Sequence, residues 1–359
     1  MMKKNRAFPI NLVLAVMLVA WVCLPHSAQA QTSRQLTQYI SAQDKSVVGI
    51  NVDALRKSKY FDQVLAWVKG TPSGQALFTA MDAAQVDLAR DINTLVLGVA
   101  DLTAQNEPGK SDMTFVMSGK LDQKKMLALL NENGMALAET TSGKLKLHTK
   151  DNLTVVFPKS GLMWGVVGSE AYRKRALETL QNNKNRVDGA SYFKQLIDDT
   201  KNTRGLWAIV DMEAAQAALT ETDPNRAAKS AAFSLDVASG MAMEVMLEMV
   251  TKDGAKSAAD ELRAQALEAG KNPMLAMSGA SPLLKNLKVS HNGTRMVANS
   301  SMNSAEFDKL LKLAGQLVAA KLNGGAAPAQ VKSPSKTPGD APIAPAKKSK
   351  KGGAKADFN

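Results

Sequence analysis

Between residues 47 and 322 the hydrophobic pattern switches repeatedly between period two and period 3.6, so strands and helices must be mixed along one chain. Period-two runs at 232–237 and 241–250 flank Ser239-Gly240, and runs at 284–290 and 294–299 flank Asn292-Gly293. Asn-Gly is a strong hairpin signal because its glycine accepts the positive φ of a tight turn. Further strands are predicted at 47–52, 94–100, 113–118, 144–149, 153–157, 163–168 and 206–210. Helices are predicted through 55–68 and at 72–88, 122–131, 170–180, 192–201, 213–219, 256–269 and 305–322. Hairpin-linked strands pair antiparallel, and the strict strand–helix alternation of a doubly wound sheet is missing. The expected fold class is α+β, with antiparallel strands and helices covering one face of each sheet.

The element order repeats. Val52-Asp53 leaves the first strand as Val210-Asp211 leaves its counterpart. Lys120-Leu121-Asp122 precedes one middle helix and Lys252-Asp253-Gly254 the other. Ser169-Glu170-Ala171-Tyr172 opens one closing helix, and Ser304-Ala305-Glu306-Phe307 the other. Two diverged copies of one unit are therefore expected, at 31–203 and 204–323, side by side or sharing one long sheet. The helix at 72–88 reads as an insertion in the first copy.

The segment before this body reads as an address. Lys3, Lys4 and Arg6 precede a 13-residue apolar run at 12–24, and Ala28-Gln29-Ala30 follows. That is the order of a secretory signal peptide, with cleavage expected after Ala30. The apolar run is shorter than the ~20 residues a spanning helix needs. Cys23 follows Trp21 and Val22, too bulky for a lipidation site, and belongs to the apolar run. Cleavage removes that lone cysteine, so the mature chain is expected to have no disulfide, no thiol nucleophile and no transmembrane segment. A periplasmic or secreted location follows.

Charge is distributed unevenly. The chain carries 45 Lys plus Arg against 33 Asp plus Glu, a net +12. The signal accounts for +3 and residues 324–359 for +5, which leaves +4 on the body. The stretch at 324–359, rich in Ala, Pro, Lys, Gly and Ser, cannot bury enough surface to offset its ordering entropy and is expected to be disordered. Its Lys347, Lys348, Lys350, Lys351 and Lys355 are candidates for a polyanion contact: anionic lipid head groups or an envelope polymer. Nucleic acid is not expected as a partner, because no aromatic residues interleave with these lysines.

Catalytic chemistry has little to build on. Asp53, Asp122, Asp211 and Ser304 stand just before helices, where capping explains them. His148 alternates with Leu147 and Thr149 as an exposed strand residue would, and His291 sits at the Asn-Gly turn. Neither has an acid at triad or ligand spacing. No nucleophile elbow, phosphate loop or His-Glu-x-x-His occurs in its required context. No cofactor is expected, no catalytic residue is assigned, and an enzyme is the weaker reading, although a carboxylate-based hydrolase leaves no short motif.

Two methionine-rich segments stand out. Met241, Met243, Met246 and Met249 have thioether spacings that soft Cu(I) selects, yet at period two the segment also reads as a half-buried strand. Between Pro273 and Pro282, Met274, Leu275 and Met277 form an apolar loop that could line an adaptable ligand site. With aromatics at 5% and 18 methionines, the core is expected to be aliphatic and Met-filled. The function expected is that of an exported, non-catalytic binding or scaffolding protein with an unidentified protein partner and a tail for weak envelope attachment. The alternatives are a periplasmic carrier of a lipid or other apolar ligand and, third, the hydrolase.

Overall fold

The computed structural model describes residues 33–70, 72–83, 85–100, 112–132, 134–189, 191–212, 227–271 and 279–322. The chain divides into a body that ends at Val318 and a second that begins at Ala319, of which 319–322 are described and helical. The predicted helix at 213–219, the loop residues Met274, Leu275 and Met277, and the tail lysines lie outside the described residues.

Twelve strands form one sheet. They are β1 (Ser46–Asn51), β2 (Ile92–Val99), β3 (Met113–Gly119), β4 (Ala138–Ser142), β5 (Leu145–Lys150) and β6 (Leu153–Lys159). Then come β7 (Leu162–Val167), β8 (Leu206–Asp211), β9 (Ala228–Asp236), β10 (Gly240–Met249), β11 (Lys288–Asn292) and β12 (Arg295–Asn303). Their order across the sheet is β11-β12-β10-β9-β8-β1-β2-β3-β7-β6-β5-β4. Every neighbouring pair is antiparallel. The central pair joins β1 to β8, so both halves of the sequence share one sheet. Outward from that pair the order is β1-β2-β3-β7-β6 on one side and β8-β9-β10-β12-β11 on the other.

Ten helices matter for the packing. They are α1 (Ser33–Leu36), α2 (Val52–Arg56), α3 (Phe61–Lys69), α4 (Pro72–Ala83) and α5 (Gln123–Glu132). The rest are α6 (Glu170–Asn182), α7 (Ser191–Asp199), α8 (Lys252–Ala269), α9 (Ser281–Lys285) and α10 (Ser304–Leu322). Their starts are set by short polar side chains. Ser169 Oγ accepts from Tyr172 N at α6, and Thr251 Oγ1 accepts from Gly254 N at α8. Asp122 accepts from Lys125 N before α5. At α10 the cap is Asn303 rather than Ser304: Asn303 Oδ1 accepts from Glu306 N, and Glu306 Oε2 accepts from Asn303 N. This reciprocal pair satisfies two helix-end donors at once. At α2 the cap is Asn51, while Asp53 sits in the first turn and pairs with Arg56.

Directly paired residues of antiparallel strands share a face, so the register sorts the core into two layers. On the first face Val48, Ala208, Phe233, Val245 and Ala298 align across five strands. Helices α4 and α5 cover this face over β2, β3, β6 and β7. Helices α8, α9 and α10 cover it over β9, β10 and β12. On the second face Val47, Ile209, Ala232, Met246 and Val297 align, beneath α1, α6 and α7.

Helices thus lie on both faces, not on one as the sequence suggested. Strands β2 and β7 are buried along their whole length, which a sheet with one solvated face does not allow. Their unbroken apolar runs, Leu95-Val96-Leu97 and Val166-Val167 among them, carried that information. Among the described residues ten methionines are buried, as the shortage of aromatics implies. Trp164 and Trp207 are wholly buried on the second face. Their indole N–H groups donate to Tyr39 O and Ser33 Oγ, so each ring is buried without orphaning its donor. Gly49 pairs with Trp207 across β1–β8, and any Cβ there would overlap the indole.

Candidate functional site

Near the β8–β10 side of the first face the covering helices leave a gap. Its floor is made by Leu206 on β8, Leu235 on β9 and Met241 on β10, with Val237 just beyond β9. One wall comes from the α2–α3 segment through Leu55, Tyr60 and Phe61, and the other from Phe307 and Leu311 of α10. The result is a groove of about 180 Å³ lined by apolar side chains and Ser58. It exists because helix α2 is short: Lys57 ends it and the chain turns through Ser58 before α3 begins at Phe61.

The polar atoms of the lining are already engaged. Ser58 Oγ donates to Val237 O at 2.5 Å and accepts from Tyr60 N at 3.2 Å. Tyr60 Oη donates to Ser304 O at 3.1 Å. The Tyr60 and Phe307 rings meet edge to face and close one end. Outside, Lys59 Nζ lies 4.9 Å from the Tyr60 ring centroid and pairs with Asp308 at 2.9 Å. That bond holds the Lys59 ammonium above its usual pKa. A second, more open depression runs along α8 between Asp253, Lys256 and Asp260, but a single helix forms it and it encloses nothing.

The other residues singled out from the sequence are dispersed. Met241, Met243 and Met249 share the first face, Met249 opposite an irregularity in β9 and packed with Ala255, while Met246 occupies the second. The four thioethers are thus divided between the two faces. Asp211 ends β8, buried, 3.0 Å from Lys45 Nζ. His148 is not the exposed residue its alternation implied. It is 4% exposed on the first face, with Nε2 3.3 Å from Gln123 Nε2 and its ring against Phe157. Helix α5 covers this part of the sheet, and its Gln123 encloses the imidazole.

Asp44 is a buried acid that sequence reasoning missed. Asp44 is fully buried and accepts from Tyr172 Oη at 2.5 Å and from Ser41 N at 3.2 Å. Tyr172 Oη also lies 2.8 Å from Thr114 Oγ1. Burial pushes the Asp44 carboxyl up to about 7 despite these bonds, with a smaller push from Asp112. It also pushes the Tyr172 phenol well above its usual range. Asp112 itself accepts from the Ser169 N–H and hydroxyl at the start of α6. Both carboxylates therefore tie α6 to the sheet, and Asp44 has no exposed surface on which to meet a substrate.

Among the described residues no group of three or more His, Cys, Asp or Glu could hold a metal ion. Among them, too, no helix is long and apolar enough to cross a membrane. No protein-family model matches the chain, and no curated protein matches it. Three crystal forms of TP0453 resemble it. Form I has 11% identity and a TM-score of 0.41 over 78% of this chain and 96% of that one. Form III has 10% identity and a TM-score of 0.44, covering 80% and 100%. Form IV has 9% identity and a TM-score of 0.46, covering 80% and 97%.

Proposed function

We propose that this is an exported, non-catalytic binding protein that holds the hydrocarbon part of a small apolar ligand in the groove between α2–α3 and α10. The observation that carries the reading is a cavity of about 180 Å³ whose polar lining atoms are spent on the protein itself. Such a site rewards hydrocarbon and penalises any group that needs a hydrogen bond. A cavity of ~150 Å³ accepts a benzene-sized molecule, so this one accepts a segment of about six carbons. At ~0.8 kcal/mol per buried methylene the gross gain is about 5 kcal/mol, a dissociation constant on the order of 0.2 mM.

Export is supported by the basic start, the 13-residue apolar run and the Ala28-Gln29-Ala30 site. In this reading the lysines at 347–355 supply weak contacts to anionic envelope polymer or head groups. A duplicated origin is supported by the matching strand order on either side of β1–β8 and by α5 and α8 lying on the same face. The closing helices differ, since α6 packs on the second face and α10 on the first.

Calorimetric titration of the chain from residue 31 with 1-octanol tests the groove. Saturable binding near one equivalent is expected, lost in Met241→Trp or Leu206→Phe, whichever retains the wild-type Tm. Absence of saturable binding to the wild type at about 2 mM octanol, about 10 times the expected constant, overturns the reading.

A further inference from the structure

We infer that β4 is a docking edge for a second copy of this chain, the two β4 strands pairing antiparallel about Thr140 so that two sheets join into one. This is independent of the groove. The sheet has two edge strands, β4 and β11. Each runs into a two-residue hairpin loop, Gly143-Lys144 after β4 and Gly293-Thr294 after β11. The residues that flank such a loop form a hydrogen-bonded pair, and alternation along the strand then fixes which backbone groups face outward. On β11 they are those of Val289 and His291, and on β4 those of Glu139 and Thr141.

The two edges differ. On β11 helix α8 reaches over the rim: Arg263 Nη2 donates to Val289 O at 2.7 Å, and Lys288 adds an exposed charge. A covered carbonyl and a lysine are devices that keep an edge from pairing. On β4, among the described residues, no group meets the outward N–H or C=O of Glu139 or Thr141. Gln181 reaches only Ser142, at the end of the strand. The side chains of Ala138 through Thr141 are exposed, on both faces, so no helix overhangs them. The strand holds no proline, lysine or register shift, and Thr140 and Thr141 are β-branched. Pairing about Thr140 sets Glu139 opposite Thr141 of the second copy in both directions, each pair exchanging both backbone hydrogen bonds. Thr140 then meets its own counterpart, a favourable cross-strand pair. Each Glu139 keeps Lys146 Nζ at 2.9 Å, so the carboxylate enters the seam with its counter-charge.

One strand pair buries less than the ~1,200 Å² of a stable interface, so the dimer is weak and exchanging, and cross-linking is the way to read it. The chain from residue 31 contains no cysteine. Thr140→Cys places one thiol on the two-fold axis, in a pair whose Cα atoms lie ~4.5 Å apart, within disulfide reach. Ser290→Cys places the same thiol at the equivalent position of β11. Both positions are exposed, so neither change threatens the fold. With diamide as oxidant and about 100 μM protein, Thr140→Cys should form the disulfide-linked dimer about tenfold faster than Ser290→Cys. Adding Thr141→Pro, which removes an outward N–H, should cancel that advantage. Should Thr141→Pro lower the Tm, Glu139→Pro makes the same test. Equal rates for the two cysteine variants overturn the proposal, as does a Thr140→Cys rate that a fully folded proline variant leaves unchanged.

Discussion

The rings of Tyr60 and Phe307 meet edge to face, centroids 4.6 Å apart and planes at 78°. Tyr60 follows the segment after the central strand β1 and Phe307 lies in the first turn of the last helix, so the contact joins two elements far apart in sequence on one face of the sheet. Both side chains are buried, and Tyr60 adds a hydroxyl bond to Ser304 O. The pair forms one end of the groove, so its loss should be felt in stability and in binding together.

Phe307→Ala should lower unfolding free energy by about 3 kcal/mol, as large-to-small changes of buried phenylalanine do. Tyr60→Phe keeps the ring and removes one neutral hydrogen bond, for about 1 kcal/mol. Equilibrium urea unfolding of the two variants measures both. Equal costs would mean that the ring contact adds nothing to the fastening.

Stability should fall with rising pH through the range set by Asp44. Its carboxyl is raised to about 7 in the folded protein, against ~3.9 in an unfolded chain. Between those values the folded state holds the proton more tightly, so this group contributes stability that is complete below about pH 4 and lost as pH rises through about 7. The slope is at most about 1.4 kcal/mol per pH unit. Asp44→Asn should flatten this dependence and leave the variant more stable than the wild type at pH 8. Denaturant midpoints at pH 5, 6.5 and 8 decide it; an unchanged slope in the variant would assign the dependence to other groups.

Gly49→Ala should cost about 2 kcal/mol or more, because the new methyl overlaps the Trp207 indole, and overpacking a filled core forces neighbours off their rotamers. Trp207 is wholly buried between β8 and α1, with its N–H on Ser33 Oγ, and has nowhere to retreat. Unfolding followed by tryptophan fluorescence would show the loss. A wild-type midpoint would mean that the ring moves freely.

Removing residues 324–359 should release the protein from envelope fractions at low salt and leave its Tm unchanged. Unchanged fractionation would reject attachment through Lys347, Lys348, Lys350, Lys351 and Lys355.

The strands and helices were largely legible because the periodicity of two or 3.6 is a local signal. Met241–Val250 reads as a strand, Asn292-Gly293 as its neighbour's turn, and Gly293 does take a φ of +58°. Strand β4 was not legible: Ala138–Ser142 is an edge strand with mostly exposed side chains and has no apolar face to announce it. The segment at 284–290 read as a strand throughout, yet Ser281–Lys285 is helical, with Pro282 in its first turn. The groove was invisible for a different reason. Leu55, Leu206, Met241 and Phe307 belong to four distant segments, and only the pairing of β1 with β8 and of β10 with β12 brings them together. The methionines chosen from spacing alone included Met241, a groove residue, but for its thioether rather than for the apolar floor it completes.

Methyl-selective NMR on methionine-labelled protein tests the groove most directly, because Met241 and Met246 sit on opposite faces of the same strand. Added 1-octanol should shift the Met241 methyl resonance saturably, with a midpoint below 1 mM, and leave Met246 in place. A Met241 resonance that does not move, or one that drifts in step with Met246 without saturating, would contradict a ligand site in this groove.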